Sequence, residues 1–347
     1  MTIQLPILVQ IILFSSIVGL ILAYLSLQIA PKFGLMDDPK SAEHKVHEAP
    51  IPLTGGTVIL LVIWIATFFF DLSGENPIKG IILASSIIYI FGLWDDLEHL
   101  TPTIKLIGQF FGALLLIQNG VQIHLFDSPE FFIQPGAPWD VILNISLTVF
   151  WVIAIVNAFN LIDSFDGLAV GLSALSASFF LVISIASGQT EMAYFSAIIL
   201  GGTFAVYFYN SHPAKLFLGD SGAQTLGFIL ASMAILYRPN AESQLSSWFV
   251  PILVFGVPLF DLCLVFFSRL RRRKKVHSAS KDHTYHRLAQ RGVDLDRAVL
   301  LMHGVSLILS VVGYLCLNLP AFLANSIFLI LMSIAVSAFF ILDKNYE

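Results

Sequence analysis

Within the stretch NAFNLIDSFDGLAVG, residues 157–171, Asn157, Asn160, Asp163 and Asp166 recur at intervals of three, directly after the apolar run ISLTVFWVIAIV. Amide side chains offer donors and acceptors together and suit a nucleobase edge. Carboxylates suit Mg²⁺ or the role of a base. On one continuous helix, steps of three would drift by about 60° each and spread the four groups over half the circumference. The spacing therefore predicts a helix break between Asn160 and Phe165, with Gly167 letting the next helix start close by and offer its first N–H groups to an anion. A capping role accounts for one of the acids, not for four polar groups.

Four other stretches carry similar chemistry. In WDDLEHLTPTIKLIGQ, Asp95 and Asp96 close an apolar run. Adjacent carboxylates repel, and the C-terminal end of a helix dipole disfavours both, so Mg²⁺ or a nearby Lys is expected to offset them unless water does. In YNSHPAKLFLGDSGAQTLG, Asp220 stands between Gly219 and Ser221-Gly222, as an N-cap or as a site acid; Lys215 is placed to counter a phosphate, and Phe217 to stack on a base or rest in the membrane surface. In MDDPKSAEHKVHEAPIPLTGG, Pro50 and Pro52 keep the chain extended, Gly55 and Gly56 allow close approach of a phosphate or a helix, and Lys45 and His47 serve an anion or simply the topology. In SRLRRRKKVHSASKDHTYHRLAQRG, the run from Arg269 to Lys275 reads as a cytosolic anchor. His283, His286 and Arg287 supply donors at helical spacing, the Arg able to grip phosphate oxygens with two bonds. Zinc is disfavoured where no cysteine lies nearby and hard oxygen ligands dominate. Asp261, inside VPLFDLCLVFF, points to a function or an internal partner, the favoured reading being structural pairing near the site.

These groups sit in a chain of 347 residues, 57% hydrophobic and 12% charged, about half the charge of an average soluble protein. Runs long enough to cross a bilayer fall at about 5–30, 55–71, 78–94, 104–118, 139–159, 167–186, 192–209, 221–237, 248–267, 298–317 and 322–341. The expected fold is an all-α polytopic integral membrane protein of about 11 transmembrane helices, one membrane-embedded domain over 1–347. The first run lacks a basic start and a cleavage site and reads as a retained helix rather than a secretory signal. Cys263 and Cys316 lie inside apolar runs and read as core residues, not as a disulfide or metal pair. Of 18 Lys and Arg residues, all but Lys79 and Arg238 fall on one side of this topology. The positive-inside rule then puts the N-terminus outside and the C-terminus in the cytosol, with cytosolic loops at about 31–54, 95–104, 160–166, 210–220 and 268–297. Every clustered acid faces the cytosol with them.

The set WDDLEHLTPTIKLIGQ, NAFNLIDSFDGLAVG, FLGDSGAQTLG and DHTYHRL, in this order, together with HKVHEAPIPLTGG, resembles the polyprenyl-phosphate N-acetylhexosamine-1-phosphate transferase family over nearly the whole chain. It is most similar to the bacterial branch that starts O-antigen, enterobacterial common antigen or teichoic acid synthesis. The resemblance implies transfer of N-acetylhexosamine-1-phosphate, most commonly GlcNAc-1-phosphate, from a UDP-sugar to undecaprenyl phosphate with release of UMP. It implies Mg²⁺, with Mn²⁺ as a substitute, and an active site on the cytoplasmic face of the plasma membrane. By motif, Asp95 and Asp96 match the acid pair, Asp95 as base toward the lipid phosphate. Asp220 matches the principal metal ligand, with Asp163 beside it. Asn157, Asn160, Asp163 and Asp166 match the cluster near the nucleotide, and Asn210 and Phe217 match positions around uracil. Lys105 and Lys45 match basic residues near phosphate, and His283, His286 and Arg287 match the loop over the diphosphate. Ser164 stands where the family usually has Gly, and Tyr285 where many members have another His. Asp95, Asp163 and Asp220 should then gather around one divalent ion. A nucleic acid has no place in this reading; a homodimer is compatible with it.

Three alternatives compete with this resemblance. The peptidoglycan translocase of the same superfamily takes UDP-MurNAc-pentapeptide, but DHTYHRL lacks its run of histidines followed by Phe-Glu. An ion-coupled transporter would carry its carboxylates near the bilayer midplane in repeated halves, and no repeat is visible. A transferase using CDP-activated substrates wants an Arg and later acids that DGLAVGLSALSASFF does not contain.

Overall fold

The computed structural model describes residues 3–39, 49–72, 76–131, 133–241, 243–274 and 282–344. Lys45 and His47 lie outside the described residues. Each of the eleven apolar runs is helical, and the ninth is broken. Two compact units make up the chain, Met1–Pro239 and Asn240–Glu347.

The first unit contains α1 (Leu5–Phe33), α2 (Gly55–Phe69), α3 (Asn76–Glu98), α4 (Pro102–Gln118), α5 (Trp139–Ile162), α6 (Leu168–Ala186), α7 (Thr190–Asn210) and α8 (Gly219–Leu236). Its centre is α8, packed by α3, α5, α2 and α6, while α7 packs on α1, α6 and α2. Of the 18 residues of α8, 15 are buried. Its sequence, GDSGAQTLGFILASMAIL, is rich in Gly, Ala, Ser and Thr, the residue types that let helices approach closely where lipid offers no hydrophobic gain. A methyl group added at Gly56 of α2 would collide with the backbone of Gly222. The close approach expected at Gly56 is thus to a helix.

The loop between α1 and α2 forms a short antiparallel ladder, β1 (Met36–Asp37) with β2 (Ile51–Pro52). Pro52, extended as expected, accepts a bond from Phe217 N at 2.8 Å, and Gly55 N and Gly56 N donate to Phe217 O and Leu218 O, each at 3.0 Å. The first loop is thereby stitched to the segment that leads into α8.

The second unit contains α9 (Val250–Val254), α10 (Gly256–Arg271), α11 (Thr284–Ala289), α12 (Leu295–Cys316) and α13 (Ala321–Asp343). A 65° bend separates the helical segment ending at Val254 from α10, and Pro258 stands in the first turn of α10, where a missing N–H costs no helical bond.

Among the described residues, seven helices (α1, α3, α5, α6, α7, α12 and α13) are long and apolar enough to cross a bilayer, and the bent pair makes up to eight. The protein is an all-α polytopic membrane protein.

Candidate active site

The C-terminal end of α3 carries Asp95 and Asp96, and each acid finds a different partner for its charge. Asp95 is 2% exposed. Its Oδ1 accepts from Leu100 N at 2.6 Å, and its Oδ2 pairs with Lys105 Nζ at the start of α4. Asp96 reaches across to α8, accepting Asp220 N at 2.7 Å and Ser221 N at 3.1 Å. A carboxylate at one helix's C-terminus is disfavoured by that dipole, but here it meets the N-terminus of a second helix, where the dipole favours it. The offset expected for this pair thus comes from Lys105 on one side and from backbone N–H groups on the other.

Gly219 opens α8 with φ +73°, and a side chain there would stand 2.7 Å from Asp96 Oδ2. Only glycine serves both demands. Asp220 follows in the first turn of α8. Lys105 Nζ donates to its Oδ2 at 2.8 Å, and Asn160 Nδ2 donates to its Oδ1. Asp220 is therefore no N-cap; Asp96 does the capping, and Asp220 stays one-third exposed with Lys105 bridging it to Asp95.

The helix break falls within the expected stretch. The last residue of α5 is Ile162, Asp163 is its C-cap, and the turn closes at Gly167 before α6. Asn157 and Asn160 remain on α5. Asp163 is half-buried in that turn. Burial, then the charges of Asp220, Asp96 and Asp166, hold its carboxyl well above the usual carboxylate range. Asp166 faces another way, accepting from Ala214 N at 3.0 Å and pairing with His212 Nδ1 at 2.9 Å. The exposed His212 ring stacks on Phe165, centroids 6.0 Å apart.

Two expectations need correction. Asn210, read as a uracil contact, is 2% exposed and uses its amide on backbone: its Oδ1 accepts Gly167 N at 3.1 Å and its Nδ2 donates to Leu216 O at 2.9 Å. It shapes the loop. Arg287, read as a phosphate clamp, is 1% exposed, with Nε on Asp282 O at 2.9 Å and Nη1 on Asp343 Oδ1 at 2.8 Å. It is an internal ion pair of the second unit. Asp343 also holds Ser268 and Arg271, while Arg269 and Arg272 pair with Asp282, so part of the basic run is structural as well. Asp261 has the internal partner expected of it: its carboxylate pairs with His283 Nδ1 at 2.9 Å and accepts Thr284 N at 2.6 Å, capping α11. The His283 ring lies parallel to Tyr285, and His286 packs on Tyr285 at 4.1 Å.

Asp95, Asp96, Lys105, Asn160, Asp163 and Asp220 are thus brought together by the first unit. Phe217, half-buried, is fixed by its backbone bonds to the first loop. Two residues absent from the sequence-based set join them: Gln109 accepts from Asn157 at 2.7 Å and donates to Gln224 at 3.1 Å. Their only sequence signal is a spacing of four from Lys105 and from Asp220.

The donor set fits a hard divalent cation. It is all oxygen, and a cation between Asp163 and Asp220 would offset the burial and the repulsion that together raise Asp163. Among the described residues no three His, Cys, Asp or Glu side chains form a ready cage. That suits Mg²⁺, which is commonly held by one or two carboxylates with water and substrate phosphate completing its shell.

An all-α membrane protein that gathers acids, a lysine and amides at converging helix ends is built for phosphoryl transfer, where positioning and charge do most of the work. The chain belongs to glycosyl transferase family 4 and is a phosphotransferase: the family model matches residues 78–238, a segment holding the whole carboxylate cluster. A probable undecaprenyl-phosphate N-acetylglucosaminyl 1-phosphate transferase of Bacillus subtilis is 30% identical over 284 residues, 82% of this chain and 78% of the relative. The undecaprenyl-phosphate alpha-N-acetylglucosaminyl 1-phosphate transferase of Salmonella typhi is 26% identical over 315 residues, 88% of this chain and 82% of the relative. A phospho-N-acetylmuramoyl-pentapeptide-transferase of Streptococcus equi is 32% identical over a shorter stretch of 222 residues, 60% and 65% of the two chains.

Proposed function

We propose that the protein transfers GlcNAc-1-phosphate from UDP-GlcNAc to undecaprenyl phosphate, releasing UMP, as the first membrane step of a cell-envelope polysaccharide. The observation that carries this reading is the junction of Asp95, Lys105, Asn160 and Asp220, four helices meeting at one charged point. The two longer matches, each over four-fifths of this chain, bear names for this chemistry, whereas the match to the pentapeptide transferase is shorter. A transporter is set aside by the family.

An oxygen of the lipid phosphate attacks the sugar-bearing phosphorus of the donor, and UMP leaves from the opposite side. Asp95 takes the proton of the lipid phosphate. Lys105 meets phosphate oxygens, and Asn160 holds Asp220 in place. Asp163 and Asp220 hold Mg²⁺, which when bound neutralises charge developing on the diphosphate. Asp166 and Phe217 are assigned to the nucleotide, and His283 and His286 to the donor's diphosphate, by motif alone; Asn157, whose amide donates to Gln109, supports the site from below. Attack is direct, with no aspartyl-phosphate; labelled enzyme trapped with donor alone would overturn that step.

In this reading the membrane contains eleven crossings: the seven long helices, the bent pair, α8, and the shorter apolar α2 and α4. The 16-to-2 distribution of basic residues orients the N-terminus outward and the acids toward the cytoplasm of the plasma membrane. Lipid phosphate arrives within the leaflet and UDP-sugar from the cytosol, and the acids stand where the two meet. A homodimer is compatible with this arrangement. The test is purified protein in detergent with undecaprenyl phosphate and a panel of UDP-sugars, scored by UMP. UDP-GlcNAc should be the best donor; UMP release with UDP-MurNAc-pentapeptide alone would replace this reading with its rival.

A further inference from the structure

Lys105 and Gln109 stand four residues apart on α4, Asp220 and Gln224 four apart on α8, and Asn157 and Asn160 three apart on α5. Each pair lies on one helix face, about a turn apart. The hydrogen bonds follow the same two levels. At the helix ends, Lys105 and Asn160 both donate to Asp220. One turn deeper, Gln109 Nε2 donates to Gln224 Oε1 at 3.1 Å and Asn157 Nδ2 donates to Gln109 Oε1 at 2.7 Å. A charged level therefore stands on an amide level, and both are made by the same three helices. α4 and α8 are tied in both, α5 and α8 only above, α4 and α5 only below.

Gln109 and Gln224 are each 1% exposed, and Gln224 Nε2 is buried without a hydrogen-bond partner among the described residues. Apolar side chains of similar size would pack the three helices without desolvating amides. What amides add is direction: their bonds fix how the helices are rotated and shifted against one another. The level above needs such fixing, because Asp95, Asp163 and Asp220 carry like charge at close quarters.

We propose that Gln109, Gln224 and Asn157 form a positioning layer that holds α4, α5 and α8 in register beneath the acids and so sets how tightly the site takes its divalent cation. The proposal rests on the reading of Asp163 and Asp220 as that cation's carboxylates. None of the two glutamines touches substrate; they act through Lys105 and Asp220.

The test is the double variant Gln109→Met/Gln224→Met, which keeps volume and leaves neither partner of that bond orphaned, in the full-length protein. Two quantities are read: the rise in thermal midpoint caused by MgCl₂ without substrates, and the Mg²⁺ concentration giving half-maximal UMP release. The expected result is a folded variant whose half-maximal Mg²⁺ is raised about tenfold to a hundredfold, the range found when groups that orient metal ligands are removed, with the thermal shift moved to higher Mg²⁺ in parallel. Wild-type Mg²⁺ dependence in both readouts would overturn the proposal. Gln224→Met alone, which keeps the Asn157–Gln109 bond, carries the same expectation at smaller size and decides the matter if the double variant does not fold. If the wild-type protein itself shows no Mg²⁺-dependent shift and no Mg²⁺-dependent UMP release, the metal reading fails, and this proposal with it; a responsive wild type matched by the variant sinks the proposal alone.

Discussion

Asp96 caps the helix that begins at Gly219: its two carboxylate oxygens accept the N–H groups of Asp220 and Ser221 at 2.7 and 3.1 Å. One acid of the pair that ends α3 thus aims the acid in the first turn of α8. Asp96→Ala removes both charge-assisted bonds and leaves the first turn of α8 uncapped. Stability should fall by about 1–3 kcal/mol, and transfer should fall further than stability because Asp220 loses its orientation. Thermal unfolding and UMP release on the same preparation measure the two losses separately.

Gly219 makes that approach possible. Gly219→Ala combines a strained positive φ with a methyl group pressed against Asp96. Transfer should drop with Asp96 present. In the Asp96→Gly background, the same substitution should do less additional harm, since the clash is gone and only the backbone strain remains. Equal effects in both backgrounds would show that the two residues act independently.

Lys105 bridges Asp95 and Asp220. Lys105→Met leaves two neighbouring acids with no cation between them. A loss of about 10²–10³ in kcat is expected, the magnitude seen when a donor to a developing charge is removed. Asp95→Asn should cost about 10²–10⁴, the contribution of a general base. Initial rates at saturating donor and acceptor check both.

Asp163 ties stability to pH in a direction opposite to that of an ordinary surface acid. Its folded carboxyl is held above the usual range by burial and by Asp220, Asp96 and Asp166. Stability from this group is complete below its unfolded value of about 3.9, and is lost as pH rises through the folded value. Asp163→Asn should therefore stabilise the metal-free protein at neutral pH, with the gain vanishing toward pH 4, while abolishing transfer. Thermal midpoints of both proteins across pH, with chelator present, test this; a variant less stable than wild type at neutral pH would contradict it.

Arg287 and Asp343 separate a structural reading from a binding one. Breaking a buried ion pair by removing one partner costs about 3–5 kcal/mol. Arg287→Met should lower stability on that scale, and the protein that remains folded should keep its KM for the donor. A raised KM with unchanged stability would restore Arg287 to the phosphate.

Much of the cluster was legible because its chemistry is concentrated in short strings: paired acids at the end of an apolar run, amides and acids at intervals of three, an aspartate flanked by glycines. Helix positions followed the apolar runs within a few residues for the same reason. What stayed hidden were partnerships across long separations. Nothing near Arg287 announces Asp343, 56 residues on, and nothing near Asp96 announces the amides 124 and 125 residues away. Asn210 carries an amide suited equally to a base and to a loop, and only its two backbone partners decide between them. Gln109 and Gln224, single amides in greasy helices, acquire meaning only when α4 and α8 lie side by side.

The account is tested most directly by product. Wild-type and Asp220→Asn proteins, purified in parallel and matched for thermal midpoint, are given UDP-GlcNAc, undecaprenyl phosphate and Mg²⁺, and UMP and lipid-linked sugar diphosphate are both quantified. Wild type should form the two in equal amounts, and Asp220→Asn neither. Equal rates from the two proteins, or UMP without the lipid product, would contradict the assignment.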